Sequence, residues 1–183
     1  EYIRIVKTKA AIENAFISLV ESKGYKNVKM VDIAKKARVN RNTIYLRYGA
    51  KEDIIKSIIS TSFQNEISGF DISSLFKIRY NKRKIELLYT ALFKIIDKNV
   101  ELFRILLLEA ELVGFYLIEL KNIKKIILSK MKNTPRNENL INYLVYGMFG
   151  VIIDYTVYAK GTPEETVKLL TDLTMSVFRR IQV

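Results

Sequence analysis

The 183-residue sequence contains no cysteine and no histidine, and only two prolines and seven glycines. The first two absences exclude disulfide frameworks, thiolate nucleophiles, Cys or His zinc sites and histidine-based acid–base chemistry. The scattered glycines build neither a phosphate-cradling loop nor a dinucleotide fingerprint. Catalysis by carboxylates, lysine or tyrosine stays chemically open, but no constellation of such residues supports it. The expectation is a protein that is not an enzyme and uses no cofactor or metal. Lack of cysteine also suits a reducing cytoplasm, the expected location. Because the sequence begins at Glu1 rather than Met, some N-terminal residues are expected to be missing.

What is plentiful is positive charge, with 31 Lys and Arg against 19 Asp and Glu, a net +12. Residues 1–60 hold 13 basic against 6 acidic residues, so +7 of that charge lies in the first third of the chain. A basic face concentrates a polyanion and makes its binding salt-sensitive, although a lysine-rich compositional bias contributes to the excess. With 49% hydrophobic residues the chain can bury a sizeable core. Its length suits one two-layered domain, or a small domain joined to a larger one.

The most informative stretch runs from Met30 to Lys51. Met30, Ile33, Ala34 and Ala37 fall at i, i+3, i+4 and i+7, one face of an amphipathic helix that stops at Arg38-Val39. Asn40 is a good N-cap, able to accept from the amide of Asn42 or Thr43, and a second short helix spans Arg41 to Tyr48. Gly49 after it tolerates a left-handed helix end. Two short helices about a tight corner fit a helix-turn-helix.

Ile44 and Tyr48, one turn apart, can face inward, which leaves Arg41, Asn42, Thr43, Tyr45, Leu46 and Arg47 around the outer surface. Those side chains suit duplex DNA. Arg forks onto guanine, Asn pairs with adenine, Thr and Leu touch a thymine methyl, and Tyr donates to phosphate. The bland alternative is an ordinary solvated helix carrying Arg and Asn.

The order Gly24-Tyr25, Val31-Asp32-Ile33-Ala34, Ala37-Arg38-Val39-Asn40, Thr43-Ile44-Tyr45 and Tyr48-Gly49-Ala50-Lys51-Glu52-Asp53-Ile54 resembles the DNA-binding domain of the TetR (tetracycline-repressor) family. The resemblance is strong over residues 4 to 56 and rests beyond them on helix layout. Three positions depart from the family pattern. Arg38 stands where Gly is usual at the corner, so the turn lacks glycine's freedom at positive φ or Arg38 bears strain. Lys29 stands where Ser or Thr commonly caps the first helix of the motif, and Tyr48 stands where Phe is usual. The resemblance adds Lys51 as a phosphate contact. The candidate DNA-binding residues are then Arg41, Asn42, Thr43, Tyr45, Leu46, Arg47, Tyr48, Lys51 and Lys29.

In the rest of the chain, Ile12, Ala15, Phe16, Leu19 and Val20 form the stripe of a first helix ending at Gly24, and Arg4, Lys7 and Lys9 precede it as possible phosphate contacts or solvated charges. Lys51-Glu52-Asp53 opens a longer helix with acids in its first turn. Residues 65–84 lack a sustained period and read as a loop or irregular helix. Ile85 to Ile96 restore a helical period that breaks near Asn99, and further helices run through Leu102–Leu120 and on to about Lys132. Helices apolar on more than one side, as here, are expected to be buried between neighbours.

Leu140 to Ala159 is the most hydrophobic segment. Asn142, Asp154 and an uninterrupted apolar span well short of the ~20 residues a bilayer needs argue against a membrane helix. Gly147 and Gly150 suggest a close helix–helix contact. At Gly161-Thr162-Pro163-Glu164-Glu165 one helix ends and another is capped, and Val167, Leu170, Leu173, Thr174 and Val177 line the last one.

The expected fold is all-α: an N-terminal three-helix helix-turn-helix domain, residues 1–50, followed by a helical ligand-binding and dimerisation domain, residues 51–183. By resemblance the two last helices pair into a four-helix homodimer seam, with Leu140, Tyr143, Gly147, Gly150, Leu170, Leu173 and Val177 as candidates. Tyr89, Phe93, Phe103, Phe115, Tyr116, Met148 and Phe149 are candidate walls for a hydrophobic or aromatic small-molecule inducer, or plain core. Asp154, within an apolar helix, is either a ligand contact or a buried hydrogen-bonding group at the seam. The expected function is a homodimeric transcriptional regulator, a repressor released from a palindromic operator by a small molecule. The alternative is a nonspecific DNA-anchored protein-interaction module without an inducer.

Overall fold

A computed structural model describes residues 2–67 and 81–181, without the side chains of Tyr2, Ile3, Arg4 and Ile67. Its elements are helical throughout, with no strand among the described residues. They are α1 (Tyr2–Lys23), α2 (Met30–Ala37), α3 (Arg41–Arg47), α4 (Lys51–Ile67), α5 (Lys82–Lys98), α6 (Val100–Leu108), α7 (Val113–Leu128), α8 (Pro135–Tyr158) and α9 (Pro163–Phe178). Short 3-10 turns lie at Tyr25–Asn27 and Ala110–Leu112. Of the irregular stretch expected at 65–84, residues 65–67 close α4 and 82–84 open α5, while 68–80 lie outside the described residues, as does the Arg4 side chain.

The chain divides into two compact units, Glu1–Thr61 and Ser62–Val183. The division falls within α4, later than a border at residue 50, because the first half of α4 bonds back to the N-terminal elements. Lys51 donates to Tyr25 O at 2.9 Å, Ser57 to Glu13 at 2.7 Å and Lys9 to Thr61 at 2.7 Å.

In the first unit α1 packs on α2 and α2 on α3. The stripe read from the sequence is the core: Ile12 and Phe16 of α1, Ile33 of α2, Ile44 of α3 and Ile54 and Ile55 of α4 are fully buried. Gly24 ends α1 at φ 76°, a conformation an L side chain rarely adopts.

In the second unit α5 packs against α9, and α8 packs against α6, α7 and α9. The capping signals operate as read. Thr162 accepts from the amide of Glu165 at 3.2 Å, the Glu165 carboxylate accepts from Thr162 N at 3.1 Å, and Pro163 fills the first helical position. At the other end of α8, Thr134 accepts from Asn137 N at 3.2 Å. α7 departs from expectation: it is apolar on several sides, yet Leu117, Ile118, Ile123 and Ile126 are exposed because only the side bearing Leu120 and Ile127 is covered.

Tyr89 of α5 lies buried with its hydroxyl 2.6 Å from Thr174 Oγ1 of α9. Burial pushes its phenol up to about 12, outweighing the Thr174 hydrogen bond. Folding therefore favours the neutral phenol. The stabilisation is fully present below the ordinary value near 10 and is lost as pH rises from there through about 12. Wild-type protein is expected to lose about 2–3 kcal/mol over that window from this group. Tyr89→Phe protein is expected to show a shallower alkaline limb in denaturant titrations run at stepped pH.

Candidate nucleic-acid interface

The corner between α2 and α3 is built without glycine. Arg38 adopts φ 54°, ψ 40°, the left-handed conformation. Its amide donates to Lys35 O at 3.2 Å and that of Val39 to Ala34 O at 3.0 Å, the paired bonds of a Schellman helix end. The strain alternative for Arg38 is thus the one realised. A non-glycine residue pays about 1–2 kcal/mol there, and glycine carries an extra unfolded-state entropy of about 0.5–1 kcal/mol. Arg38→Gly is expected to stabilise the protein by about 0.5–1 kcal/mol, read as a rise in thermal midpoint.

Lys29 stands at the N-cap of α2, but its side chain has no acceptor to offer the helix amides. The Asp32 carboxylate closes half of a capping box instead, accepting from Lys29 N at 3.3 Å and from Lys23 Nζ at 2.5 Å. The Lys23 hydrogen bond, against a smaller opposing effect of burial, holds the Asp32 carboxyl below its ordinary range.

Asn40 caps α3, accepting from Asn42 N at 2.8 Å. Ile44 and Tyr48 turn inward, 0% and 5% exposed, and the opposite face is open. Arg41, Asn42, Tyr45 and Leu46 are exposed, with Thr43 and Arg47 half-buried beside them. Arg41 lies over the Tyr45 ring, its guanidinium carbon 5.5 Å from the centroid, which restricts the fork before any ligand arrives. Leu46 is 89% exposed. Lys29, Lys35, Lys36 and Arg38 add exposed positive charge in the same unit.

Residues 14–58 match the sequence model described as "Bacterial regulatory proteins, tetR family". Over that stretch the chain is similar to the TetR family. A stretch of 93 residues is 29% identical to the uncharacterized HTH-type transcriptional regulator YxbF of Bacillus subtilis, spanning 49% of this chain and 24% of that relative. Among solved structures, the dihydroxyacetone kinase operon activator DhaS superposes with a TM-score of 0.68 at 16% identity, covering 96% of this chain and 98% of the other. The multidrug binding protein EbrR complexed with ethidium gives 0.60 at 13% identity, over 91% and 98% of the two chains. A TetR-like regulator from Rhodococcus sp. RHA1 gives 0.59 at 14%, over 92% and 93%. At such identities these structures establish the shared TetR-like helical fold.

Within this TetR-like head, two candidate contacts have other work. Tyr48 is not on the exposed face of α3: its ring is buried and its hydroxyl lies 3.3 Å from Glu13 Oε1 and 3.4 Å from Ser57 Oγ. Burial raises the Tyr48 phenol, so it remains a neutral donor. Lys51 places its ammonium 3.9 Å from the centroid of the Tyr25 ring and donates to Tyr25 O, while the Tyr25 hydroxyl donates to Glu52. Gly49 is not left-handed either. It leaves room for Asp53, whose Oδ2 would sit 3.3 Å from a Cβ there and accepts from Ala50 N at 3.1 Å. Nothing in the local sequence marks Glu13 or Ser57 as partners of Tyr48. The available signal was Tyr48 itself, since a buried tyrosine hydroxyl needs a partner.

The candidates in the second unit also sort by exposure. Leu170 and Val177 are 2% and 7% exposed and belong to the chain's own core, because that side of α9 meets α5 and α8. Tyr143 and Leu173 are exposed, as are Gly147 and Gly150, and Leu140 is intermediate. A Cβ on either glycine meets nothing within 4 Å, so neither makes a close contact inside the chain.

Tyr89, Phe93 and Phe103 are core, with Phe93 edge-on to Tyr155 at 4.8 Å and Phe103 to Phe63 at 6.3 Å. Phe115, Tyr116, Met148 and Phe149 are half-buried, and the Tyr116 and Phe149 rings lie 5.0 Å apart between α7 and α8. Asp154 is neither buried nor without a partner. Its side chain is 50% exposed and pairs with Lys160 at 3.1 Å, because it lies one turn from the end of α8, where the chain turns back past it.

Proposed function

We propose that the chain works as a homodimeric transcriptional regulator, a repressor whose two copies of the Arg41–Arg47 face read the half-sites of a palindromic operator. The observation that carries this reading is the exposed set Arg41, Asn42, Tyr45 and Leu46 on a short capped helix of a TetR-like head. Arg41 and Asn42 offer forked and amide hydrogen bonding to base edges, and Leu46 offers an apolar surface suited to a thymine methyl. Thr43, Arg47 and Lys29 stand at the margins as phosphate contacts.

The second copy docks on the open side of α8 and α9. Tyr143, Tyr146, Leu169 and Leu173 are 68%, 52%, 49% and 41% exposed there, beside Gly147 and Gly150. Such a seam accounts for the apolar character of α8, which has the length and composition of a membrane span while only 22% of its most apolar window is buried within the chain. On this reading the protein acts in the cytoplasm and away from membranes.

Release from the operator is assigned to an apolar or aromatic small molecule bound against Tyr116, Phe149, Phe115 and Met148. EbrR, which shares the fold, is a multidrug binding protein seen with ethidium. Symmetry sets the half-site separation at about one helical turn, roughly 34–36 Å, or a multiple.

The deciding experiment is selection of bound duplexes from random DNA at near-physiological salt, then titration on the selected sequence. An inverted repeat is the expected result. Binding that yields no motif and follows salt alone would replace the operator-reading function with a nonspecific anchor.

A further inference from the structure

A Phe in place of Tyr48 would fill the same buried space and bring no polar atom with it. Burying a hydroxyl is costly unless it is hydrogen-bonded, so its partners define what it is for. Those partners belong to two different helices. Glu13 is in α1 and Ser57 in α4, and they are bonded to each other at 2.7 Å. One turn further along both helices, Lys9 of α1 donates to Thr61 of α4 at 2.7 Å, and Lys9 also lies 3.7 Å from Glu13. The α1–α4 pair is therefore joined by two polar rungs, and the Tyr48 hydroxyl reaches both members of the first.

Tyr48 itself is the residue that closes α3, its amide donating to Ile44 O at 2.8 Å. α3 has only seven residues, too short to hold its own conformation in water, and it follows a left-handed arginine. Its end needs an external anchor.

We propose that Tyr48 is a positioning residue for the base-reading face: its hydroxyl fastens the end of α3 to the Glu13–Ser57 rung, so that α1, α3 and α4 move as one piece. Displacing α4 along α1 then breaks the rung and releases the reading helix. The consequence for DNA rests on the operator-reading function proposed above, whereas the fastening itself does not.

The test uses the full chain as wild type and as Tyr48→Phe, Ser57→Ala and Ser57→Thr, with amide hydrogen exchange across α3 and operator titration on the same preparations. Loss of one hydrogen bond is expected to speed exchange at the C-terminal turn of α3 by about 3- to 10-fold. Ser57→Ala, although in another helix, is expected to speed the same exchange, by less than Tyr48→Phe because Glu13 still accepts from the Tyr48 hydroxyl. The double substitution should go no further than Tyr48→Phe alone, and Ser57→Thr, which keeps a hydroxyl, should restore slow exchange. Operator affinity is expected to fall in the same order. A purely structural contribution would lower the thermal midpoint of each variant and leave local exchange in α3 unchanged after Ser57→Ala. That result, or independent and additive effects of the two substitutions, overturns the proposal. Slow α3 exchange that follows the rung, in a wild-type protein that selects no DNA sequence, supports the fastening and overturns the operator-reading function alone.

Discussion

Arg41→Ala protein is expected to lose about 2–6 kcal/mol of operator binding, roughly 30-fold or more in affinity, because in the proposed dimer one forked base contact worth about 1–3 kcal/mol disappears from each half-site. The loss should be selective. Duplexes changed at the base pair that Arg41 contacts should bind the variant as well as the original operator, while substitutions elsewhere keep their cost. Titrations over a matrix of single base-pair changes read this directly. Arg41→Lys is expected to restore little, since an ammonium does not fork onto guanine as the guanidinium held 5.5 Å from the Tyr45 ring centroid can. Tyr45→Ala should fall between wild type and Arg41→Ala, removing the surface that restricts Arg41 while leaving the guanidinium present. Unchanged operator affinity in both alanine variants would remove α3 from the reading role.

The same operator allows a test at the level of one methyl group. A leucine 89% exposed gains nothing from its own fold. Replacing each thymine in turn by deoxyuridine deletes only the 5-methyl group, and one position per half-site is expected to weaken wild-type binding by about fourfold, the worth of roughly one buried methylene-sized group. Leu46→Ala protein should be indifferent at that position.

These expectations could be written from sequence because the signals behind them are local. Asn40 lies two residues from the amide it caps, Thr162 and Glu165 sit three apart in a capping box, and the spacing of Ile12, Phe16, Ile33 and Ile44 marks the buried side of short helices. What was hidden depends on distant partners. Periodicity turns Tyr48 inward with Ile44, but the partner its hydroxyl meets there, Glu13, lies 35 positions away. Lys51 reads as a phosphate contact until Tyr25 comes under its ammonium. Asp154 looks buried by its apolar neighbours, yet the chain's return after α8 brings Lys160 to it in half-exposed surroundings.

The last helix shows the same limit. α9 is apolar on two sides, and its period cannot tell which side meets α5. Leu170 and Val177 are on the buried side, and Leu169 and Leu173 are left open.

That open side supports the second large expected effect. Leu173→Asp should convert a dimer into a monomer, because the carboxylate meets water in the isolated chain and loses it in the proposed seam. Since Leu173 is 41% exposed within the chain, the substitution should leave the fold intact and change stability of the isolated chain by about 0.5 kcal/mol or less. Sedimentation should show the mass halving, and operator binding should lose the contribution of its second half-site.

Gly147→Leu separates seam from fold more sharply. A side chain there meets nothing within 4 Å in the chain, and replacing glycine within a helix favours the helix by about 0.5–1 kcal/mol. The isolated chain should therefore be stabilised. At the seam the added leucine holds two α8 helices apart, so dimerisation and operator affinity should fall together while the thermal midpoint of the monomer rises. A variant that is more stable and still fully dimeric would move the seam off this face of α8. The exposed Leu117 and Ile118 of α7 would then be the next apolar surface to test.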